Sequence, residues 1–445
     1  MFFRLGKFVC VSAAVMAGAV SFALATGNAQ ASTYTVLHAF CPDVDYPGCA
    51  NDGWYPLGTP IVAPDGTVYG TNSSGGPNGT GVLFALKPKG SGYVFHVMYG
   101  FCGGTGCAGS PRGRLILDTN GNIYGVADGG GNGYGTVYKF APNKYRTGGK
   151  LSVLYNFCAN GDPCPDGQSP NGIAYIPTTP GAAYDGKSPL YGSSNAGGNS
   201  NYGGTVFELK SVKGQTLRNE ITLYTFCSRA NCTDGRSPQD VNVNAAGDVV
   251  GTTLSGGKYD LGVAFKVDST KTETVLRNYC SDDQYYCYDG KYGTGPLLPD
   301  PAGNLWGETQ YGGNGNQGVV FELQLLSGGK YKYVKRYDFC QVGDCLDGAL
   351  PTFGLTSDGN GNLFGITQIA GLYDNSEGGT IFEMKGGTHF RSLYSFCAQN
   401  GCTDGHYPRG GVALDSQGNI YGTTADGGNQ DQYGYGRGVI YKLTP

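Results

Sequence analysis

The sequence predicts an all-β fold: a seven-bladed β-propeller of four-stranded antiparallel blades, closed by the N-terminal strand pairing into the last blade. Three observations carry that expectation. A cysteine-marked unit recurs seven times, with its first cysteine at 41, 102, 158, 227, 280, 340 and 397. The intervals are 61, 56, 69, 53, 60 and 57 residues. Four strands of five or six residues with four connections need about 50, and solenoid turns of roughly 20–45 residues fit worse. The third observation is phase. The chain after residue 31 opens on YTVLHAFC, a fourth strand, and ends on GVIYKLTP, a third. Pairing residues 34–40 beside 439–443 completes the last blade and removes two open sheet edges. Two β-sandwiches in series give no reason to split a unit across the termini.

Within each copy the elements follow one order. After the cysteines comes Asp-Gly, usually with a Pro, as in DGRSP and DGHYP. A first strand such as GGVALD (410–415) leads into a DTNGN or DSQGN turn. The glycine of that turn suits a hairpin with a bulge. The second strand reads IYGTT, IYGVA or LWGET, and a glycine-rich loop follows. The third reads GTVYKF, GTVFEL, GVVFEL or GVIYKL, and the fourth SLYSF, VLYNF, TLYTF or KRYDF. In the fourth strand Tyr and Phe lie two apart and share a face, so they are expected to fill the interface between blades. With 79 Gly and 33 Tyr in 445 residues, composition agrees with many short strands and tight turns.

Residues 1–31 read as a secretory signal peptide, and 32–445 as a single seven-repeat propeller domain. Arg4 and Lys7 precede an apolar run (8–25), and Ala29-Gln30-Ala31 forms a small-residue cleavage site. No later stretch approaches the roughly 20 apolar residues needed to span a bilayer. Removing the leader takes two basic residues, so 28 basic against 34 acidic leaves −6. Scattered charge without a basic block gives no case for nucleic acid.

Of fifteen cysteines, Cys10 belongs to the leader, which leaves two per repeat. Even pairing in an exported chain reads as a disulfide framework: Cys41–Cys49, Cys102–Cys107, Cys158–Cys164, Cys227–Cys232, Cys280–Cys287, Cys340–Cys345 and Cys397–Cys402. The spacers of 7, 4, 5, 4, 6, 4 and 4 residues vary too much for a metal knuckle, and neither C-x-x-C nor C-x-x-C-H occurs. Each closed loop is worth about 2 kcal/mol by the chain-entropy model. The expected location is secreted or periplasmic.

The succession F-C…C-x-D-G-x-x-P…D-x-x-G-N-x-Y-G-T-T…G-T-V-F-x-L resembles the GloVer, or choice-of-anchor, tandem repeat, in a disulfide-bearing variant. The clearest matches are Asp404-Gly405, residues 418–424 and residues 438–441. The resemblance covers nearly all of 34–445, implies an exported bacterial protein and brings no catalytic activity. Four departures stand out. Ala108 replaces the Asp of repeat two, and Gly293 the Pro of repeat five. Repeat three carries the insertion PTTPGAAYDGKSP (177–189). The sorting segment expected of many members is replaced by Lys442-Leu443-Thr444-Pro445, which favours release or periplasmic residence.

In a propeller the connector from strand four to the next strand one shares a face with the loop between strands two and three. That face therefore gathers two candidate sets. The connectors supply Asp52, Asp166, Asp234, Asp289, Asp347 and Asp404. The loops supply Tyr134, Tyr202, Tyr259, Tyr311, Tyr373, Tyr433 and Tyr435. Aromatic rings against sugar faces and carboxylates on hydroxyls would hold a glycan. Asp before Gly also accepts hydrogen bonds from its own turn, and loop tyrosines also cover blade edges.

Other features point away from chemistry. GNGNQG (313–318) runs into a strand, so it lacks the helix that a dinucleotide site needs. Glu208, Glu322 and Glu383 share a station with Lys139, Lys266 and Lys442, which reads as a solvated rim. Glu308, at the station of Thr71, Thr252 and Thr423, reads as a tolerated substitution, with a buried acid as the alternative. The four histidines are scattered, and H-E-x-x-H and G-x-S-x-G are absent. The expectation is an exported binding or scaffolding module for a glycan or another extracellular partner, with no catalysis, cofactor or metal evident. The alternatives are a polysaccharide lyase or glycoside hydrolase acting on the loop face, and a purely structural cell-surface protein.

Overall fold

Seven antiparallel sheets stand in a ring, a seven-bladed β-propeller. The computed structural model describes residues 32–41, 49, 51–102, 104, 106–159, 161–179, 181–282, 285–373, 377–429 and 436–445. The expected leader, 1–31, lies outside them. Blades 1 to 6 occupy 61–100, 108–156, 168–225, 236–278, 291–338 and 349–395. Blade 7 takes its inner strands from 406–444 and its outermost strand, Thr33–Ala39, from the start of the domain.

The closure has the expected register. Thr33 lies opposite Thr444 and Ala39 opposite Val439. Tyr34 then reaches back to blade 6, stacking on Tyr394 with ring centroids 3.9 Å apart. Its hydroxyl donates to the carbonyl of Asp404 at 2.5 Å. The first strand of the domain thus joins blades 6 and 7 as well as filling an edge.

The blade interfaces repeat one aromatic contact. The last aromatic of each fourth strand meets a ring on the third strand of the next blade. The pairs are Phe40–Phe84, Phe101–Tyr138, Phe157–Phe207, Phe226–Phe265, Tyr279–Phe321, Phe339–Phe382 and Phe396–Tyr441. Their centroids are 4.8–5.8 Å apart. All but one are edge-to-face, the geometry the ring quadrupoles favour, and Phe40–Phe84 is tilted. This explains the second-strand glycine in IYGTT. At Gly70, Gly125, Gly192, Gly251, Gly307, Gly365 and Gly422 an added Cβ would come under 3.0 Å from the third-strand ring of the same blade. Glycine lets that ring lie flat on the backbone and face the neighbouring blade.

One sequence expectation fails here. Glu208, Glu322 and Glu383 are not a solvated rim: they are 8%, 3% and 6% exposed. Each meets a cation that covers it. Lys210 lies 3.3 Å from Glu208, Arg391 lies 2.7 Å from Glu383, and Arg336 donates to Glu322 at 3.0 Å. In blade 4 the station holds Lys266, which pairs with Asp248 at 3.2 Å. The swapped charge is matched by a swapped neighbour: Arg336 and Arg391 come from the fourth strand, Lys210 from the third strand itself and Asp248 from the turn before the second.

Candidate functional site: the connector face

All seven cysteine pairs are bonded within their own connectors, with Cα atoms 4.0–5.6 Å apart. Three helical turns, Ala230–Cys232, Gly343–Cys345 and Asn400–Cys402, end on the second cysteine. Both cysteines of the last five connectors hold φ between 50° and 64°, a region non-glycine residues rarely enter. The cystine fixes that tight loop at the outer end of each blade junction.

The six predicted Asp residues lie inside these loops, none more than 6% exposed. Each accepts a connector N–H at 2.9–3.2 Å, from Cys41, Cys158, Ser228, Ser281, Gln341 and Ala398 in turn. Each also takes a donor from the preceding fourth strand. Tyr155, Tyr224, Tyr337 and Tyr394 donate at 2.6–2.8 Å to Asp166, Asp234, Asp347 and Asp404. Arg277 donates to Asp289 at 3.1 Å, and His38 Nε2 lies 3.1 Å from Asp52. Burial first, and then the bond to Asp, hold those four phenols protonated well above their ordinary range. The carboxylates therefore brace the connector from within. Among the described residues no group of three His, Cys, Asp or Glu side chains could hold a metal ion.

The tyrosines divide. Tyr134, Tyr202 and Tyr373 are exposed on the connector face. The Tyr202 hydroxyl donates to Asp162 at 2.7 Å. Tyr259 and Tyr311 are half-buried, with Lys258 over the Tyr259 ring and Tyr292 edge-on to Tyr311. Tyr433 and Tyr435 lie outside the described residues. The sequence reading missed Tyr285, Tyr286 and Tyr288, exposed in the connector before blade 5. Tyr286 and Tyr288 stack with centroids 5.3 Å apart, and Tyr285 sits edge-on to Tyr286 at 4.7 Å. The six-residue spacer SDDQYY, against four in most copies, was the available clue. Of seven exposed tyrosines among the described residues, six lie on this face; Tyr145 alone lies on the opposite, turn face.

Glu308 resolves as the buried acid. Its side chain is fully enclosed between blades 5 and 6. Oε2 accepts from the Gly354 N–H at 3.1 Å, and Oε1 has no partner. Burial pushes its pKa well above the usual carboxylate range. Asp426, one of several carboxyls that burial raises, lies in blade 7 opposite His406. Burial raises it, His406, Arg409 and Arg437 pull it down, and Glu377 pushes it up. Arg409 lies over the Tyr407 ring at 4.9 Å and donates to the Tyr55 hydroxyl at 3.2 Å.

Residues 16–175 and 177–375 match the Gloeobacter/Verrucomicrobia repeat, the repeat the sequence pattern resembles. No curated protein matches the chain. Among solved structures, an ulvan lyase of a new polysaccharide lyase family aligns at 11% identity and TM-score 0.49, over 88% of this chain and 94% of its own. A puromycin hydrolase aligns at 13% identity and TM-score 0.49, over 83% of this chain and 50% of its own. A luciferin-regenerating enzyme aligns at 14% identity and TM-score 0.44, over 74% of this chain and 90% of its own. Likenesses this distant carry nothing about ligand or reaction.

Proposed function

We propose that this chain, which belongs to the Gloeobacter/Verrucomicrobia repeat family, is an exported propeller that binds a glycan on its connector face and leaves it uncut. The observation that carries this is the sorting of exposed tyrosines, six to one, onto that face. Tyrosine offers a flat apolar ring at low conformational cost and a hydroxyl that can still bond. Seven connector disulfides suit an oxidising compartment outside the cytoplasm. No helix among the described residues is long and apolar enough to cross a membrane. A glycan array with a parallel reducing-sugar release assay tests the reading. Binding without release is expected; an array with no bound glycan contradicts it.

One cluster favours a second reading, polysaccharide cleavage. Asp426, with its raised pKa and its neighbours His406 and Arg409, has the make-up of an acid–base group near cations. Sugar release by the wild type that disappears in Asp426→Asn would support cleavage. Absence of release from every bound glycan removes it.

A further inference from the structure

The propeller axis holds a well of about 370 Å³ to which all seven blades contribute. That volume lies within the range of small-molecule sites, roughly 300–1,000 Å³. Its floor is Arg114, which leaves blade 2 and crosses to blade 4. Arg114 Nε lies 3.0 Å from Asp240 Oδ2, and Nη1 donates to Asn242 Oδ1 at 2.7 Å. Below that floor lies a separate cavity on the turn face, and Arg114 is the one residue lining both. One station per blade, near the start of its first strand, repeats a backbone feature: Tyr55, Ser110, Ser169, Ser237, Tyr292, Leu350 and Tyr407. All seven are held in the left-handed region, φ 53° to 65°. Non-glycine residues so held cost about 1–3 kcal/mol each and cluster where a fold serves a ligand.

The wall mixes apolar and polar side chains. Blades 5, 6 and 1 present Pro296, Phe353, Leu355 and Leu57, with Thr294, Gln310 and Thr352 among them. Blades 2 to 4 present Arg112, Asn171, Gln239 and Asp240. The charges there are matched internally: Arg114 to Asp240, and Arg112 to Asp128 at 3.3 Å. Uncommitted groups remain for a ligand. The Gln310 and Thr352 side chains line the well and make no hydrogen bond.

From this, and resting on the glycan reading above, we propose that the well is an end-on subsite for the terminal, uncharged sugar of the bound chain. A pyranose has apolar faces and a rim of hydroxyls, which matches a wall of apolar side chains interleaved with amide and hydroxyl groups. Matched charges leave no countercharge for an acidic sugar. A well on the ring axis admits an end of a chain and not its middle.

The test uses the full mature chain and cello-, malto-, laminari- and mannohexaose. Each is titrated free, capped at the reducing end with 2-aminobenzamide, and methylated at the non-reducing end. One cap is expected to weaken the best hexaose at least tenfold, with the other cap tolerated. Gln310→Ala is expected to weaken it about three- to tenfold. Thr352→Trp, which fills the well, is expected to mimic the harmful cap if circular dichroism shows it folded. Equal binding of free and both capped forms, with Gln310→Ala unchanged and Tyr202→Ala weakened, would overturn the end-on subsite and leave connector-face binding standing. Binding of acidic array glycans alone would overturn the uncharged class. Binding of no glycan at all would remove both proposals.

Discussion

The two ends of the axial channel are built differently. On the connector side all seven blades contribute to the 370 Å³ well. On the turn side a larger cavity of about 650 Å³ is lined by residues of blades 1 to 3, with one strand-one residue from blade 4. The insertion 177–189 supplies part of its wall through Gly181 and Ala183. Tyr184 in the same insertion is buried edge-on against Tyr124 of blade 2 at 5.1 Å, and its carbonyl accepts from Thr119 N–H at 2.9 Å. Repeated stations make a ring with a common centre; departures from the repeat decide what that centre presents. On the proposed function, the exposed tyrosines make the connector end the one that meets the glycan.

If the frame is the repeated part, cutting any inter-blade aromatic pair should cost the most. Phe226→Ala is expected to lower unfolding free energy by about 3–5 kcal/mol, read from the urea midpoint. Phe157→Ala and Phe339→Ala should fall in the same range. A tenfold smaller loss at one of the three would break the equivalence of the blades.

Removing one connector staple comes next. Cys397→Ser with Cys402→Ser should cost about 2 kcal/mol and leave far-ultraviolet circular dichroism unchanged. The loss should be local, with faster hydrogen exchange in the connector before blade 7.

Glu308 sharpens the contrast between frame and departure, and its sign can be worked out. Its folded-state pKa is raised above the ordinary 4.5 because burial opposes the charged form. The folded chain therefore keeps the proton over a range in which the unfolded chain has released it. Its stability is intact below about 4.5 and declines as pH rises through the folded-state value. Glu308→Gln should match wild type near pH 4 and exceed it by about 1–2 kcal/mol at pH 8, since a buried, partnerless carboxylate oxygen is costly. Glu308→Thr should behave likewise, because Thr252 at this station donates to the Gly295 carbonyl at 2.9 Å. A pH-independent difference would show that Glu308 is paired.

The smallest expected effects are on binding. Tyr286→Ala and Tyr373→Ala should each weaken the array-selected glycan by about 1 kcal/mol, roughly fivefold. Tyr145→Ala on the turn face should leave affinity unchanged, and a loss there equal to the others would erase the difference between faces.

The ring was legible because its causes repeat. The Tyr-x-Phe of strand four and the stray fourth strand at residue 34 each state a contact that the fold then makes; the strand-two glycine repeats as plainly, but only the third-strand ring explains it. The Asp set was legible as chemistry but not as burial. Each Asp meets the residue two positions before the strand-four aromatic, and this is Tyr in four copies, Arg277 in one and His38 in another. That pairing lies in the sequence, but only the blade geometry shows that it turns the carboxylate inward. The well was not legible at all. Leu57, Arg112, Asn171, Gln239, Thr294 and Thr352 occupy one station, and the variety that hides them in a repeat search gives the well its mixed lining. Their convergence belongs to the ring and to no local pattern.

Hydrogen exchange with and without the array-selected glycan tests the assignment of the binding face most directly. Slowed exchange is predicted in the connector-face segments 196–204, 256–262, 285–290 and 310–318, with the turn segments 118–122, 143–148, 244–248 and 300–304 unchanged. Slowing confined to the turn segments would contradict it.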